Sequence, residues 1–250
     1  GSGARGAAGS HAQTLAFLRL LDELRSLHPA VEFESCSSGG GRIDLDVLRR
    51  AARVWTSDCN DALERQTIQY GASMLIPYEV MGAHIGPARA HTTGRMHSPA
   101  FRALTAMFGN MGVECDVRAL SDLERERLVE SIALYRRFRG LIHGGDVVRF
   151  DASSASVRAY GVYSPDRSEA LVAHVTLATS ASAVPAPIRL PGLAPEIRYR
   201  VEQVPLPGAR AWLPSDGLVL SGAQLAAHGL QLLPMNPETG LLVHLTALAP

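Results

Sequence analysis

Glu34-Ser35-Cys36-Ser37-Ser38-Gly39-Gly40-Gly41-Arg42, followed by Trp55-Thr56-Ser57-Asp58-Cys59-Asn60-Asp61, decides how this chain folds. Val31 to Glu34 alternates like a short strand and then runs into a cysteine and three glycines. Val54-Trp55-Thr56 reads as a second strand, and it ends on a carboxylate. Two strands that deliver polar groups at their tips, one helical segment apart, are the pattern of parallel β/α units. In such units the functional groups sit at the C-terminal strand ends.

Working outward, residues 12–27 carry Leu15, Leu18, Leu21 and Leu24 at helical spacing, and Pro29 stops the run. Leu45 to Ala52 is helical in pattern, and Asp58 or Asn60 is placed to cap a helix through Leu63 to Tyr70. Val80 to Ile85 predicts a third strand, closed by Gly86-Pro87. Ser98-Pro99 starts a helix bearing Phe101, Leu104, Met107 and Phe108. Cys115 to Leu120 predicts a fourth strand, and Ser121-Asp122-Leu123-Glu124 is a capping box opening a long Arg-rich helix that ends near Gly144-Gly145. From about Asp146 the texture changes to strand-like runs, Val157–Val162, Ala170–Leu177, Ile188–Leu190 and Leu241–Leu245, separated by Gly and Pro turns. The expected fold is α/β plus all-β: about four β/α units, half of a (β/α)8 barrel, over 1–145, then a β-sandwich over 146–250.

The 250 residues are 46% hydrophobic, enough for a sizeable core. Net charge is zero, so charge suggests no nucleic-acid partner. All 24 basic residues are arginine, which excludes lysine-based catalysis within this chain. Three cysteines at wide spacing, Cys36, Cys59 and Cys115, are neither a disulfide framework nor a metal-ligand set. No apolar run approaches the ~20 residues needed to span a bilayer. Gly1 to Ser10 is rich in small residues and lacks Met and a charged-then-apolar signal pattern; it reads as an internal cut or a loop, and compartment cannot be read from it.

Each chemical candidate has a plainer reading beside it. Cys36 to Gly41 is either an ordinary tight turn or a strand tip where glycines let backbone amides approach a ligand. Asp58 is either a helix cap, with Asp61 near the positive helix end, or a catalytic carboxylate. Trp55 is a core residue or lines a sugar site, and Glu64 with Arg65 reads as an exposed helix pair or a supporting polar network rather than as catalysts. His84, His91 and His97 match no zinc spacing and read as structural or loop residues, while Arg136, Arg137 and Arg139 read as a solvated helix face.

Taken together, Glu34–Arg42, Trp55-Thr56-Ser57-Asp58-Cys59-Asn60-Asp61-Ala62-Leu63-Glu64-Arg65, Val80–Pro87 and His91-Thr92-Thr93-Gly94-Arg95 resemble, in order, family 36 of the glycoside hydrolases, the microbial α-galactosidases. His11–Thr14 and Leu20–Leu24 look like the same family. The resemblance is strong to about residue 150 and weaker beyond it. It implies a retaining hydrolase that removes terminal α-galactose from melibiose, raffinose and related glycans, with no metal or organic cofactor. It implies an N-terminal β domain, a central barrel and a C-terminal β domain, of which this chain would hold the second half-barrel and the last domain. By the same resemblance Asp58 is the general acid/base, and Cys36 and Gly39 contact the sugar near its 2-hydroxyl. A cytoplasmic location and homo-oligomers are favoured by resemblance only.

The family carries its nucleophile in a Lys-Trp-Asp strand motif ahead of the Cys-x-x-Gly strand. No such motif occurs here, and the only Asp before Cys36 is Asp22, inside a helical pattern. The expectation is therefore a chain that carries the acid/base, lacks the nucleophile and is inactive alone. A half-barrel would also expose two unpaired strand edges, so poor solubility is expected for the isolated chain. Two other readings stand beside this one: a non-catalytic sugar-binding or degenerate module, and a parent that transfers galactose or accepts N-acetylgalactosamine.

Overall fold

A computed structural model describes residues 9–151 and 154–249. The stretch that reads as an internal cut or loop, Gly1 to Ser10, lies mostly outside these described residues. Helix α1 (Ser10–Leu27) leads to strand β1 (Glu34–Ser35), one tight turn, α2 (Ser37–Gly40), and a short helix, α3 (Leu45–Leu48). Then follow β2 (Arg53–Trp55), α4 (Ala62–Ala72), β3 (Met81–Ile85), α5 (Pro99–Met107), β4 (Asn110–Val113) and α6 (Asp122–Gly144). Strands β1 to β4 form one parallel sheet in sequential order, with Glu34 opposite Arg53, Val54 opposite Met81 and Gly82 opposite Asn110. Sequential parallel order with helical crossovers is the wall of a β/α barrel, and it places all four C-terminal strand ends along one rim.

Local signals set several of these boundaries. Ser98 caps α5 through the Phe101 N–H, with Pro99 at the first helical position, and both halves of the Ser121–Glu124 capping box form at α6. Two expectations need correcting. Helix α4 is capped by Asp61, whose Oδ1 accepts from the N–H groups of Leu63 (2.8 Å) and Glu64 (3.2 Å), and not by Asp58 or Asn60. The fourth strand is Asn110–Val113, not Cys115–Leu120. Glycine decides that register: a Cβ at Gly112 would meet the His84 ring at 2.6 Å, so only glycine lets β4 close against β3 here.

The remainder is a six-stranded antiparallel sheet built from β5 (Asp146–Phe150), β6 (Val157–Tyr163), β7 (Glu169–Thr176), β8 (Arg198–Val204), β9 (Val219–Ser221) and β10 (Thr239–Ala247), in the order β5-β6-β7-β10-β8-β9. Its side chains alternate strictly between two cores. Tyr160, Val162, Leu171, Ala173, Val175 and Leu242 pack on Leu104, Met107, Phe108, Phe138 and Ile142 of the barrel helices. Ala159, Tyr163, Ala170, Val172, Leu241, Val243 and Leu245 face the other way. Where a sandwich would place a second sheet, the described residues put irregular chain and the short helix α7 (Gly222–Ala227), which supply Leu190, Leu213, Leu225 and Leu230. Ile188 makes a single bridge to Leu230 in place of the expected strand, because Pro187 and Pro191 flank it and cannot donate to a ladder.

The β sheet and the barrel helices are also tied by polar contacts. Tyr160 donates to Gln66 Oε1 at 3.0 Å, and Arg149 donates to the Ser73 carbonyl at 3.0 Å. The buried ring of His97 lies between Asp61 Oδ1 and Glu238 Oε2, 3.0 Å from each, and Glu238 immediately precedes β10. Asp61 is fully buried and collects the two cap bonds, the Thr93 hydroxyl, Arg95 Nη1 at 3.1 Å and His97. Burial alone would push its carboxyl pKa up, but the Thr93 hydroxyl and the two N–H donors outweigh it and hold the pKa at about 2, below the ordinary 3.8.

Because the folded value is the lower one, this carboxylate's stabilisation is complete above about pH 4 and lost as pH falls towards 2. At neutral pH it corresponds to about 2 kcal/mol. Urea melts of wild type and Asp61→Asn should therefore differ by roughly that amount at pH 7. The gap should narrow by pH 3; one that is constant with pH would show that the charge is not what the network uses.

Candidate active site

The rim of the parallel sheet brings two of the sequence candidates into contact. Beyond β1 the chain turns through Ser37, Ser38, Gly39 and Gly40, all at positive φ (49°, 60°, 72° and 93°). The Cys36 sulfur caps this turn by accepting from the Gly39 N–H at 3.5 Å, and its thiol donates to Asp58 Oδ1 at 3.6 Å. The turn lies flat on the chain that leaves β2. A Cβ on Gly39 would sit 2.8 Å from the Asp58 nitrogen, and one on Gly40 would sit 2.6 Å from the Thr56 carbonyl oxygen. Glycine is required at both positions for backbone sign and for space. The bond from Cys36 is the only side-chain hydrogen bond to Asp58 among the described residues, and Asp58 is exposed at the rim.

Trp55, by contrast, is 7% exposed. The Arg65 guanidinium lies 4.1 Å from its ring centroid, and the His84 ring stacks on it at 4.0 Å. The described residues pack the Trp55 ring against Arg65 and His84. His84 in turn reaches Glu114 Oε2 at 3.3 Å, just past the end of β4. The loop after β3 is fixed from below, with the His91 N–H donating to Asn60 Oδ1 at 3.2 Å and Arg95 reaching both Asp61 and Glu64. His97 sits in the Asp61 network and His84 in the Trp55 stack, so the histidine cluster is spread over structural tasks.

Two features escaped sequence reading. Glu114 as a partner of His84 carries no local signal, because its position follows from the register of β4. Arg65, grouped with Glu64 as a helix pair or network, turns out to be almost wholly buried at 1% exposure while Glu64 stays at the surface. Its place was visible in outline, since Asp61 to Arg65 spans one helical turn below Asp58. Among the described residues, no group of three or more His, Cys, Asp or Glu side chains could hold a metal, and no helix is long and apolar enough to cross a membrane.

An exposed carboxylate at one strand tip, held by a thiol and a glycine turn from the next, is an arrangement fit for proton transfer to a bound ligand. Comparison with known proteins gives this rim a family. Residues 2–145 match the family described as Melibiase, and residues 157–245 match the glycosyl hydrolase family 36 C-terminal domain. An alpha-galactosidase of Escherichia coli is 46% identical over 98% of this chain and 36% of its own length. Alpha-galactosidase AgaA of Geobacillus stearothermophilus is 36% identical over 86% of this chain and 29% of its own length. The solved structure of AgaA with raffinose superposes with a TM-score of 0.80 at 33% identity, over 92% of this chain and 30% of that one. The alpha-galactosidase of Lactobacillus brevis superposes at 0.82 with 30% identity, over 93% and 31%. The chain thus spans about a third of the length of these relatives. With both parts matched in order, the chain belongs to the melibiase family, family 36 of the glycoside hydrolases, and joins part of its β/α barrel to its C-terminal β domain.

Proposed function

We propose that this chain is the acid/base portion of a retaining α-galactosidase, with 1–145 contributing to the catalytic barrel and 146–250 forming the C-terminal β domain. One observation carries the reading. Asp61 takes over the helix cap, which leaves Asp58 exposed at the strand tip, 3.6 Å from the Cys36 thiol and free for chemistry. Asp58 would protonate the departing glycosidic oxygen, then, once ionised, take a proton from the water that attacks the galactosyl-enzyme. Cys36 and Gly39 would meet the sugar near its 2-hydroxyl, beside the same carboxylate. A doubly substituted variant of AgaA has been solved with raffinose, which makes raffinose-type galactosides the first substrates to try.

Retention requires a second carboxylate about 5–5.5 Å from the first. The 250 residues hold no Lys-Trp-Asp motif, and the relatives are about three times as long as the matched part. We assign the nucleophile to sequence outside these residues. The 250 residues alone should then release no galactose from an aryl α-galactoside. Release that Asp58→Asn abolishes would overturn the assignment. In the full-length gene product, Asp58→Asn should lower turnover of raffinose by about 10²–10⁴-fold, the usual worth of a general acid/base. Undiminished turnover would remove Asp58 from the mechanism.

The glycine turn offers an independent check. Gly39→Ala places a Cβ against the Asp58 nitrogen at a residue with φ of 72°. It should cost about 1–3 kcal/mol of stability. It should also lower raffinose turnover by on the order of a hundredfold, through displacement of Asp58. Measured melting and kinetics unchanged from wild type would show that the turn does not support the carboxylate.

A further inference from the structure

Arg65 is 1% exposed and sits on α4, directly behind the β2 tip. Burial pushes its pKa down to about 10, so the guanidinium still carries its charge at neutral pH. A buried charge is costly, and an apolar side chain of similar size would fill the same space without that cost. None of its hydrogen bonds goes to a carboxylate. Nη1 donates to the carbonyl of Ser57 at 2.8 Å and to the carbonyl of Cys59 at 2.7 Å, the residues on either side of Asp58. Nε donates to Gln69 Oε1 at 2.9 Å, and the Gln69 amide donates to the Thr105 carbonyl of α5 at 2.7 Å. The guanidinium is held flat by Trp55 at 4.1 Å, which is backed by His84.

We propose that Arg65 is the positioning residue of Asp58. This rests on the acid/base reading above. Arg65 turns the Ser57 and Cys59 carbonyls inward and satisfies both, so the residue between them must present its side chain outward at the rim. It touches neither substrate nor reacting atoms; it acts through the backbone. Trp55 serves the same end by fixing the guanidinium plane, and Gln69 carries the restraint to the next helix.

The test uses the full-length gene product and two substrates that differ in their need for an acid. Loss of a dinitrophenolate needs little protonation, whereas loss of the sugar from raffinose needs a proton from the acid. The readout is the ratio of kcat/KM for dinitrophenyl α-galactoside to kcat/KM for raffinose. Incomplete folding lowers both values equally and leaves the ratio unchanged. Arg65→Met, which removes the donors but keeps the bulk, should raise the ratio by about a hundredfold, the usual loss for a misplaced catalytic group. Arg65→Lys, whose ammonium can still reach the carbonyls, should raise it less. A wild-type ratio in Arg65→Met overturns the assignment. If Arg65→Met gives no folded enzyme, Gln69→Leu, which frees the guanidinium on one side, decides in the same way: a raised ratio supports the assignment and a wild-type ratio overturns it. Asp58→Asn, run alongside, separates the two readings. If it raises the ratio and the Arg65 variants do not, only the role of Arg65 falls. If Asp58→Asn itself keeps the wild-type ratio, the acid/base reading falls.

Discussion

The buried carboxylate of Asp61 is the constraint on which the rest of this structure depends. A fully desolvated charge persists only when its acceptor sites are filled, and here the donors come from the first turn of α4 and from the loop after β3. Two come from the first turn of α4, two from Thr93 and Arg95 beyond β3, and the His97 ring leads on to Glu238 ahead of β10. One side chain therefore fixes the start of a helix, the course of the longest rim loop and the seat of the β sheet. With Asp61 in the cap, Asp58 accepts neither of the cap bonds of α4.

The division of labour at the rim follows from this. Beneath Asp58 lies a rigid layer, Arg65 on Trp55 on His84, with Glu114 at its far end. Beside it lies the glycine turn, too close for any side chain. Between them the Asp58 backbone is held on two sides, and its carboxylate meets one soft donor, the Cys36 thiol.

The antiparallel sheet takes part in the same economy of contacts. Its two faces bury separate clusters, one of them shared with α5 and α6, so the barrel helices find their outer cover in the β domain. Tyr160 and Arg149 fasten this face with hydrogen bonds to α4 and the chain just after it. Over the other face lie irregular, proline-containing chain and α7, and each proline there removes a ladder donor.

Much of this was legible in the residues alone. The capping box at Ser121 and the Ser98-Pro99 helix start are complete within four residues, so local chemistry suffices to place them. The alternation of strands and helices, the change of texture near Asp146 and the family motifs around Cys36 and Asp58 are likewise sequence properties. What the sequence could not decide was the choice between near-equivalent local options. Asp58, Asn60 and Asp61 can each cap the following helix; Asp61 prevails because its other oxygen meets Thr93 and Arg95, more than thirty residues away. Asn110–Val113 prevails over the more strand-like Cys115–Leu120 because Gly112 alone fits beneath the His84 ring. Arg65 goes inside because two carbonyls flanking Asp58 point at it. In each case the deciding term is a contact made only after distant segments pack, and no local pattern carries it.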